Sequence, residues 1–302
     1  MGIPKALKGK LVMFATAGCA FISVAAVGWI ILTIVWGGWD DISWTFLTQA
    51  PSHGMTAGGI FPAIVGTFLL VLIMSLVGVP VGTVTAVYLS EYVDRQSRMA
   101  RFIRFAVNTL AGIPAIVFGL FGLGFFVQFT GKGMDYLFSP EGTLKWAQPN
   151  ILWASLTMAL LTLPVVIVSV EEAIKTVPRE LREASLALGV TKWQTIWKVV
   201  LPNSVGGILT GAILAVSRGA GEVAPILFVG AAYFLPGLPD SLSDQFMELG
   251  YHLFIMTTQS TDVEKTLGIQ YATTLVLLVL TFVLNFSAIF LRYRMRKRRL
   301  FA

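Results

Sequence analysis

The chain holds very little of the chemistry that most enzymes and metal sites use. It has one cysteine, Cys19, and two histidines, His53 and His252, in 302 residues. A single thiol excludes a disulfide framework and a thiolate metal site. Cys19 lies inside an apolar run, and the histidines read as ordinary residues of separate loops with no ligand-like spacing around them. Charge is scarce too: Asp, Glu, Lys and Arg make up 13% of the chain, about half of the roughly 25% usual in soluble domains. No Gly-x-x-x-x-Gly-Lys-Ser/Thr loop occurs, and Gly131-Lys132-Gly133 does not make one. The chain therefore has no means of hydrolysing ATP alone and carries no cofactor of its own. What fills the space is apolar, with 56% hydrophobic residues and a mean hydropathy of +0.78. That composition belongs to an all-α polytopic membrane protein with little soluble mass.

Six apolar runs reach the roughly 20 residues that cross a bilayer core. They are Leu11–Val35, Ala63–Tyr88, Phe102–Phe129, Ile151–Val170, Val205–Phe228 and Ile269–Leu291. The first follows Lys5, Lys8 and Lys10, as a signal peptide would. Its length far exceeds the ~7–15 residues of a cleavable core, so it reads as a retained span. Eighteen of the 22 Lys and Arg residues fall on one side of this arrangement. They lie at the N-terminus, after span two (Arg95, Arg98, Arg101, Arg104), in the polar stretch before span five, and in the tail from Arg292 to Arg299. The positive-inside rule puts that side, and both termini, in the cytoplasm. It also accounts for the basic tail without a nucleic-acid partner.

The opposite loops carry Lys132, Lys145 and Lys265 against Asp40, Asp41, Asp135, Glu141, Asp240, Asp244, Glu248, Asp262 and Glu264. Trp36, Trp39 and Trp44 follow the first span as interfacial aromatics do. Phe246–Met256 is apolar but too short to cross; it reads as lying at the outer interface or plugging the mouth.

The polar stretch Glu171–Pro202 is the main interruption. Pro178 suits a first helical turn. Leu181, Ala184, Ser185 and Leu188 then share one helix face, and Gly189 suits a left-handed cap. Thr191 with Gln194 forms a capping box for a second helix, in which Trp193, Ile196, Trp197 and Val200 repeat the spacing until Pro202 stops it. A helix–turn–helix knob between two spans is expected, and a short helix with an apolar stripe is a fit ligand for a groove in a partner.

Glu183-Ala184-Ser185, then Gly189, then Val199-x-Leu201-Pro202 resembles the EAA loop of ABC-importer permeases, with Ser185 for Ala and Val199 for Ile. In that family the loop is the helix that docks in a cleft of a cytoplasmic ATPase. A second segment, in span three, contains Gly112, Pro114, Gly119, Gly122 and Gly124. Its glycines permit close approach between helices and Pro114 permits a kink. The run from Pro114 to Gly122 is similar to a segment of the permeases of phosphate-specific ABC importers.

In span five, Arg218 and Glu222 stand four apart, so they share a helix face and can pair. Charges at mid-bilayer are costly and face a bundle interior or a water-filled path. Two readings stay open. The pair is a self-neutralising structural contact, or Arg218 is a transient site for a tetrahedral oxyanion that Glu222 occupies when the path is empty. The stretch Arg218-x-x-Gly221-Glu222-Val223-Ala224-Pro225 also resembles the A-type permease of high-affinity phosphate importers.

The resemblance covers nearly the whole chain and implies the type I (MetI-like) importer permease fold. Residues 1–62 are then an N-terminal transmembrane helix and outer loop, and 63–302 a five-helix permease core with a coupling loop at 171–203. It implies a second, similar permease subunit, a cytoplasmic ATPase dimer that binds ATP and magnesium, a periplasmic phosphate-binding protein, and a place in the bacterial inner membrane. The substrate it implies is phosphate, with molybdate or sulfate as the rival oxyanions. An unrelated secondary transporter would need inverted repeats and its own coupling acids, and Glu222 is the single acid inside a span. A membrane enzyme would need a catalytic cluster, which the scattered histidines and lone Cys19 do not supply.

Overall fold

Apolar runs become long helices because in lipid every backbone N–H and C=O must be satisfied within the protein, and a helix does so within one segment. The computed structural model describes residues 5–299 apart from 53, 54, 56, 95, 96, 139–142, 261 and 262. His53, Arg95, Glu141 and Asp262 lie outside the described residues. Helix α1 spans Lys5–Gly38 and is followed by the short α2, Trp44–Thr48, whose first turn Ser43 caps by accepting from Phe46 N at 3.1 Å. Two-residue strands β1 (Pro51–Ser52) and β2 (Ala57–Gly58) pair antiparallel, Pro51 opposite Gly58. Helix α3, Phe61–Val87, runs on into a wider, π-helical turn at Tyr88–Tyr92. Next come α4 (Arg98–Ala111), α5 (Ala115–Phe121) and, after a π-helical stretch at Gly122–Gly131, α6 (Lys132–Phe138). Helix α7 covers Ile151–Lys175, with Asn150 accepting from Trp153 N at 2.9 Å. Helices α8 (Arg179–Ala187), α9 (Lys192–Thr195), α10 (Leu201–Gly219), α11 (Ile226–Val229), α12 (Leu249–Gln259) and α13 (Val263–Arg299) complete the chain.

Six stretches are long and apolar enough to cross a bilayer: Gly9–Asp41, Phe61–Tyr92, Ala115–Phe138, Ile151–Lys175, Lys192–Gly219 and Glu264–Met295. The chain is a multi-pass membrane protein whose spans are all helical. Helix α7 is its centre, packed between α3 and α10; 67% of its most apolar stretch is buried, against none for the first and last spans. Helix α1 leans mainly on α13. One apolar cluster, including Leu89, Ile174, Ile196 and Val200, sits at the end of the bundle that carries the knob. Another, including Phe46, Ile60, Met247, Leu249 and Ala272, closes the far end.

Two spans differ from the runs expected from composition. The third starts at Ala115, not Phe102, because Gly112-Ile113-Pro114 breaks the helix outright. Proline pushes the residue before it out of the helical region, and glycine weakens a helix just ahead of it. Pro114 is extended (ψ 138°) and stands immediately before α5, so it restarts a helix rather than kinking one. The detached α4 is amphipathic, with Ala100 and Val107 buried and Phe102 and Phe105 exposed. The fifth span starts earlier and stops earlier than Val205–Phe228, running from Lys192 to Gly219.

The segment Phe246–Met256 neither skims the surface nor crosses. Phe246, Met247, Leu249, Ile255 and Met256 are all buried, and α12 is seated between α3 and α13 at the far end. Leu249 N donates to Thr67 Oγ1 at 2.9 Å, which fastens the start of α12 to the second turn of α3.

Candidate functional site: the knob and the turn after α10

The knob is built by local rules. Gly189 has φ +78°, a left-handed conformation that costs a side-chain-bearing residue about 1–2 kcal/mol. Leu188 N and Gly189 N return to Ala184 O and Leu186 O, ending α8. The capping box closes in both directions: Gln194 N donates to Thr191 Oγ1 at 3.3 Å, and Thr191 N donates to Gln194 Oε1 at 3.1 Å.

The second half of the knob departs from the sequence expectation, because Pro202 does not stop its helix. Helix α9 widens at Ile196–Val200, where Leu201 N bonds Ile196 O, and passes straight into α10 with Pro202 in its first turn. The wide turn falls where proline's missing N–H is needed least. The four residues expected to share a face also divide. Ile196 and Val200 are buried, whereas Trp193 and Trp197 stack on the outside with ring centres 5.7 Å apart.

Of the knob residues singled out in the sequence, Glu183, Ala184 and Gly189 are exposed. Ser185 is half-buried and its hydroxyl shares a hydrogen bond with that of Thr195 at 2.9 Å, tying α8 to α9. Val199, Leu201 and Pro202 are half-buried at the entry to α10. Leu186 and Leu188 add exposed apolar surface around Glu183.

Beneath α8 lies a polar cluster that residue spacing did not reveal. Arg182 donates to Glu91 Oε1 from Nε at 3.1 Å and from Nη2 at 2.9 Å. The same guanidinium donates to Ile174 O in the last turn of α7 at 2.9 Å and to Val177 O just past that helix at 2.5 Å. Arg104 of α4 donates to Leu89 O at 3.2 Å and Glu171 Oε1 at 3.1 Å. Lys175 Nζ lies 3.4 Å from Glu171 Oε1 and 2.8 Å from Glu172 Oε1. A cavity of about 370 Å³ opens beside them, lined in part by Ser90, Glu91, Arg104, Glu171 and Arg182. The signal available in the sequence was the presence of Glu91 and Glu171 on the strongly basic side of a charge-poor chain.

The turn after α10 corrects the second site expectation. Helix α10 ends at Gly219, so Arg218 stands in its last turn and Glu222 lies beyond the helix, not on a shared face. Ala220 N still returns to Val216 O, and Gly219 and Gly221 on either side weaken any continuation of the helix. Among the described residues the two do not pair: the ion pairs there are those of Arg104, Lys175 and Arg182. Arg218 is exposed on the outside of this chain, about 25 Å along α10 from Leu201, and Glu222 is half-buried. An exposed guanidinium with no carboxylate on it keeps its planar fork for an oxyanion.

The fold brings together two segments that are far apart in sequence. A Cβ on Gly119 would lie 2.7 Å from Pro225 O, so only glycine lets α5 touch the turn after α10. One turn on, Gly122 faces Thr157 of α7. Gly112 meets only its own turn, and Gly124 faces open space. From the other side, Val223 packs on Gly250 of α12.

Two titratable groups sit in α12. Glu248 caps the helix, accepting from Gly250 N at 2.9 Å and Tyr251 N at 2.6 Å, and its burial pushes its pKa up to about 7. His252 is not a loop residue but a buried helical one, its Nδ1 without a hydrogen-bond partner, and burial lowers its pKa to about 4.

Residues 78–298 match the family model described as binding-protein-dependent transport system inner membrane component. A probable ABC transporter permease protein, YqgI, of Bacillus subtilis is 35% identical over 210 residues, 70% of this chain and 66% of its own length. A phosphate transport system permease protein, PstA, of Yersinia pestis is 37% identical over 219 residues, 72% of this chain and 65% of its own. The matches thus span just under two thirds of those relatives. Among solved structures, a chain of a bacterial ABC transporter involved in import of the acidic polysaccharide alginate superposes with a TM-score of 0.67. It is 16% identical, and the match covers 96% of this chain and 98% of that one, so the two share a fold.

Proposed function

The chain belongs to the family of binding-protein-dependent transport system inner membrane components, and from that premise we propose that it is the A-type permease of an ATP-driven importer of inorganic phosphate. The observation that carries the substrate is the likeness to a relative named for phosphate transport. The exposed Arg218 at the end of α10 supports it, since a guanidinium grips two oxygens of a tetrahedral anion at once. In this reading the knob end is cytoplasmic, as its excess of Lys and Arg requires, and both termini lie there too, in the bacterial inner membrane. Residues 63–302 form the permease core, and 1–62 add one helix and an outer loop.

A separate ATPase dimer, which supplies the ATP and magnesium sites, grips the knob at Glu183, Ala184, Ser185 and Gly189. Val199, Leu201 and Pro202 carry the motion into α10. A second, similar permease completes the path on the face where Arg218 is exposed, and Glu222, four residues on, competes for the guanidinium when the turn moves. Phosphate leaves the site because a lone exposed arginine holds it weakly. The acidic far-end loops repel free phosphate, so a periplasmic phosphate-binding protein delivers it.

The test is uptake of radiolabelled phosphate by the purified complex in liposomes. Uptake is expected to require ATP and the binding protein, and to be displaced by excess phosphate but not by sulfate or molybdate. Displacement by either of those at equal concentration overturns the choice of substrate, and uptake without ATP overturns the importer reading.

A further inference from the structure

No side chain of the docking helix α8 is fully buried, and none belongs to an apolar core cluster of the bundle. An element that adds no residue to the core of the spans has little apolar packing through which to push or pull them. Among the described residues, its side-chain bonds to the rest of the chain are those of Arg182 and Ser185. Ser185 reaches only Thr195, in the other half of the knob. Arg182 alone reaches two spans. It takes the carboxylate of Glu91 in the wide turn that ends span two, and the carbonyls of Ile174 and Val177 where span four ends. Ile174 O is among the last carbonyls of α7 and Val177 O lies just past its end, where the helix dipole favours a cation.

We propose that Arg182 and Glu91 are the positioning pair through which movement of the docked helix α8 is carried into spans two and four. This rests on the reading of the knob as the ATPase contact. Both side chains are largely withdrawn from solvent, 19% and 11% exposed, so the pair is neither a loose surface contact nor screened as one. Arg104 makes a matching but separate bridge: it holds Leu89 O of span two and Glu171 of span four, and among the described residues it has no hydrogen bond to α8. The two arginines therefore divide the work. Arg104 keeps the two span ends together, and Arg182 attaches that unit to the knob. Removing Glu91 frees α8 from span two while leaving its outer, docking face and the Arg104 bridge unaltered.

The experiment uses the purified complex in liposomes with binding protein, and reads ATPase retention, ATP hydrolysis and radiolabelled phosphate uptake on the same sample. Glu91→Ala is expected to retain the ATPase and hydrolyse ATP within about twofold of the unaltered complex, while phosphate moved per ATP falls about tenfold. Arg182→Lys is expected to fall less, about two- to fivefold, because an ammonium re-pairs with Glu91 but does not span the carbonyls of α7 at the same time. Glu91→Gln keeps the volume and one acceptor, and serves by the same ratio if the alanine variant does not assemble. Hydrolysis and uptake falling by one common factor, or an unchanged ratio in all three variants, overturns the proposal. If the unaltered chain retains no ATPase, the coupling reading falls and the positioning role falls with it. If it does and the ratio does not move, only the pair's role is lost.

Discussion

Glu248 and His252 stand one helical turn apart, and burial shifts them in opposite senses. Glu248 in the folded chain keeps its proton to about pH 7, whereas the unfolded carboxyl releases it near 4.5. Its contribution to stability is full below 4.5 and is lost as pH rises to 7. His252 stays neutral down to about pH 4, whereas the unfolded imidazole takes a proton near 6.5. Its contribution is full above 6.5 and is lost as pH falls to 4. Between 4.5 and 6.5 the two slopes oppose, so thermal unfolding of the detergent-solubilised chain is expected to change little with pH from this pair. Glu248→Gln should expose the histidine slope, a loss of up to about 1.4 kcal/mol per pH unit on acidification across that window, read by scanning fluorimetry. A flat profile in that variant would show that His252 is solvated rather than buried. For Arg218 the expected result is functional: Arg218→Gln retains assembly and ATPase binding and lowers phosphate uptake by about tenfold or more, the weight of a charge-assisted contact. Normal uptake by that variant removes the anion site.

Helices here are divided by glycine and proline, and the divisions set which segments meet. The break at Gly112-Ile113-Pro114 frees α5 to lie against the turn that follows α10, with Gly119 touching Pro225. A methyl at Gly119 meets main chain and forces a shift, so Gly119→Ala should lower stability by about 1–3 kcal/mol, as overpacking does. Gly124, nearer to α6, has nothing close to it, and Gly124→Ala should change stability by no more than about 0.5 kcal/mol. Equal effects of the two on the melting temperature would mean that α5 does not touch the turn. The fused α9–α10 rod obeys the same logic. The wide turn at Ile196–Val200 lets a helix carrying Pro202 continue, so the knob's second half and span five form one lever rather than two jointed pieces.

At the scale of the whole molecule, the bundle has two unlike ends. One carries the basic knob and the Arg104 and Arg182 bridges, and the other is closed by α12 and the acidic loops. Single cysteines placed at Lys192 and Lys145, in a chain with Cys19 replaced by serine, should separate them by side. An impermeant thiol reagent added to intact cells is expected to label the cysteine at 145 and spare the one at 192. Labelling of position 192 from outside inverts the molecule and removes the ATPase contact with it. The six-span architecture and its centre on α7 do not depend on that result, whereas every partner proposed for the chain does.

Composition and periodicity determined by themselves that this is a six-span helical protein with one polar knob, because lipid leaves the backbone almost no alternative to helix and because caps act within four residues. Gly189 and the Thr191–Gln194 box were legible for that reason. Only the tertiary structure decided where α10 ends, that Arg218 and Glu222 do not pair, and that Gly119 meets Pro225. It alone placed Glu91 and Ile174 within reach of Arg182, a contact made across 91 residues of chain in the first case. Spacing rules extend only along one helix. Whether a helix continues to the next charged residue, and which distant end lies beneath it, is settled by packing between segments.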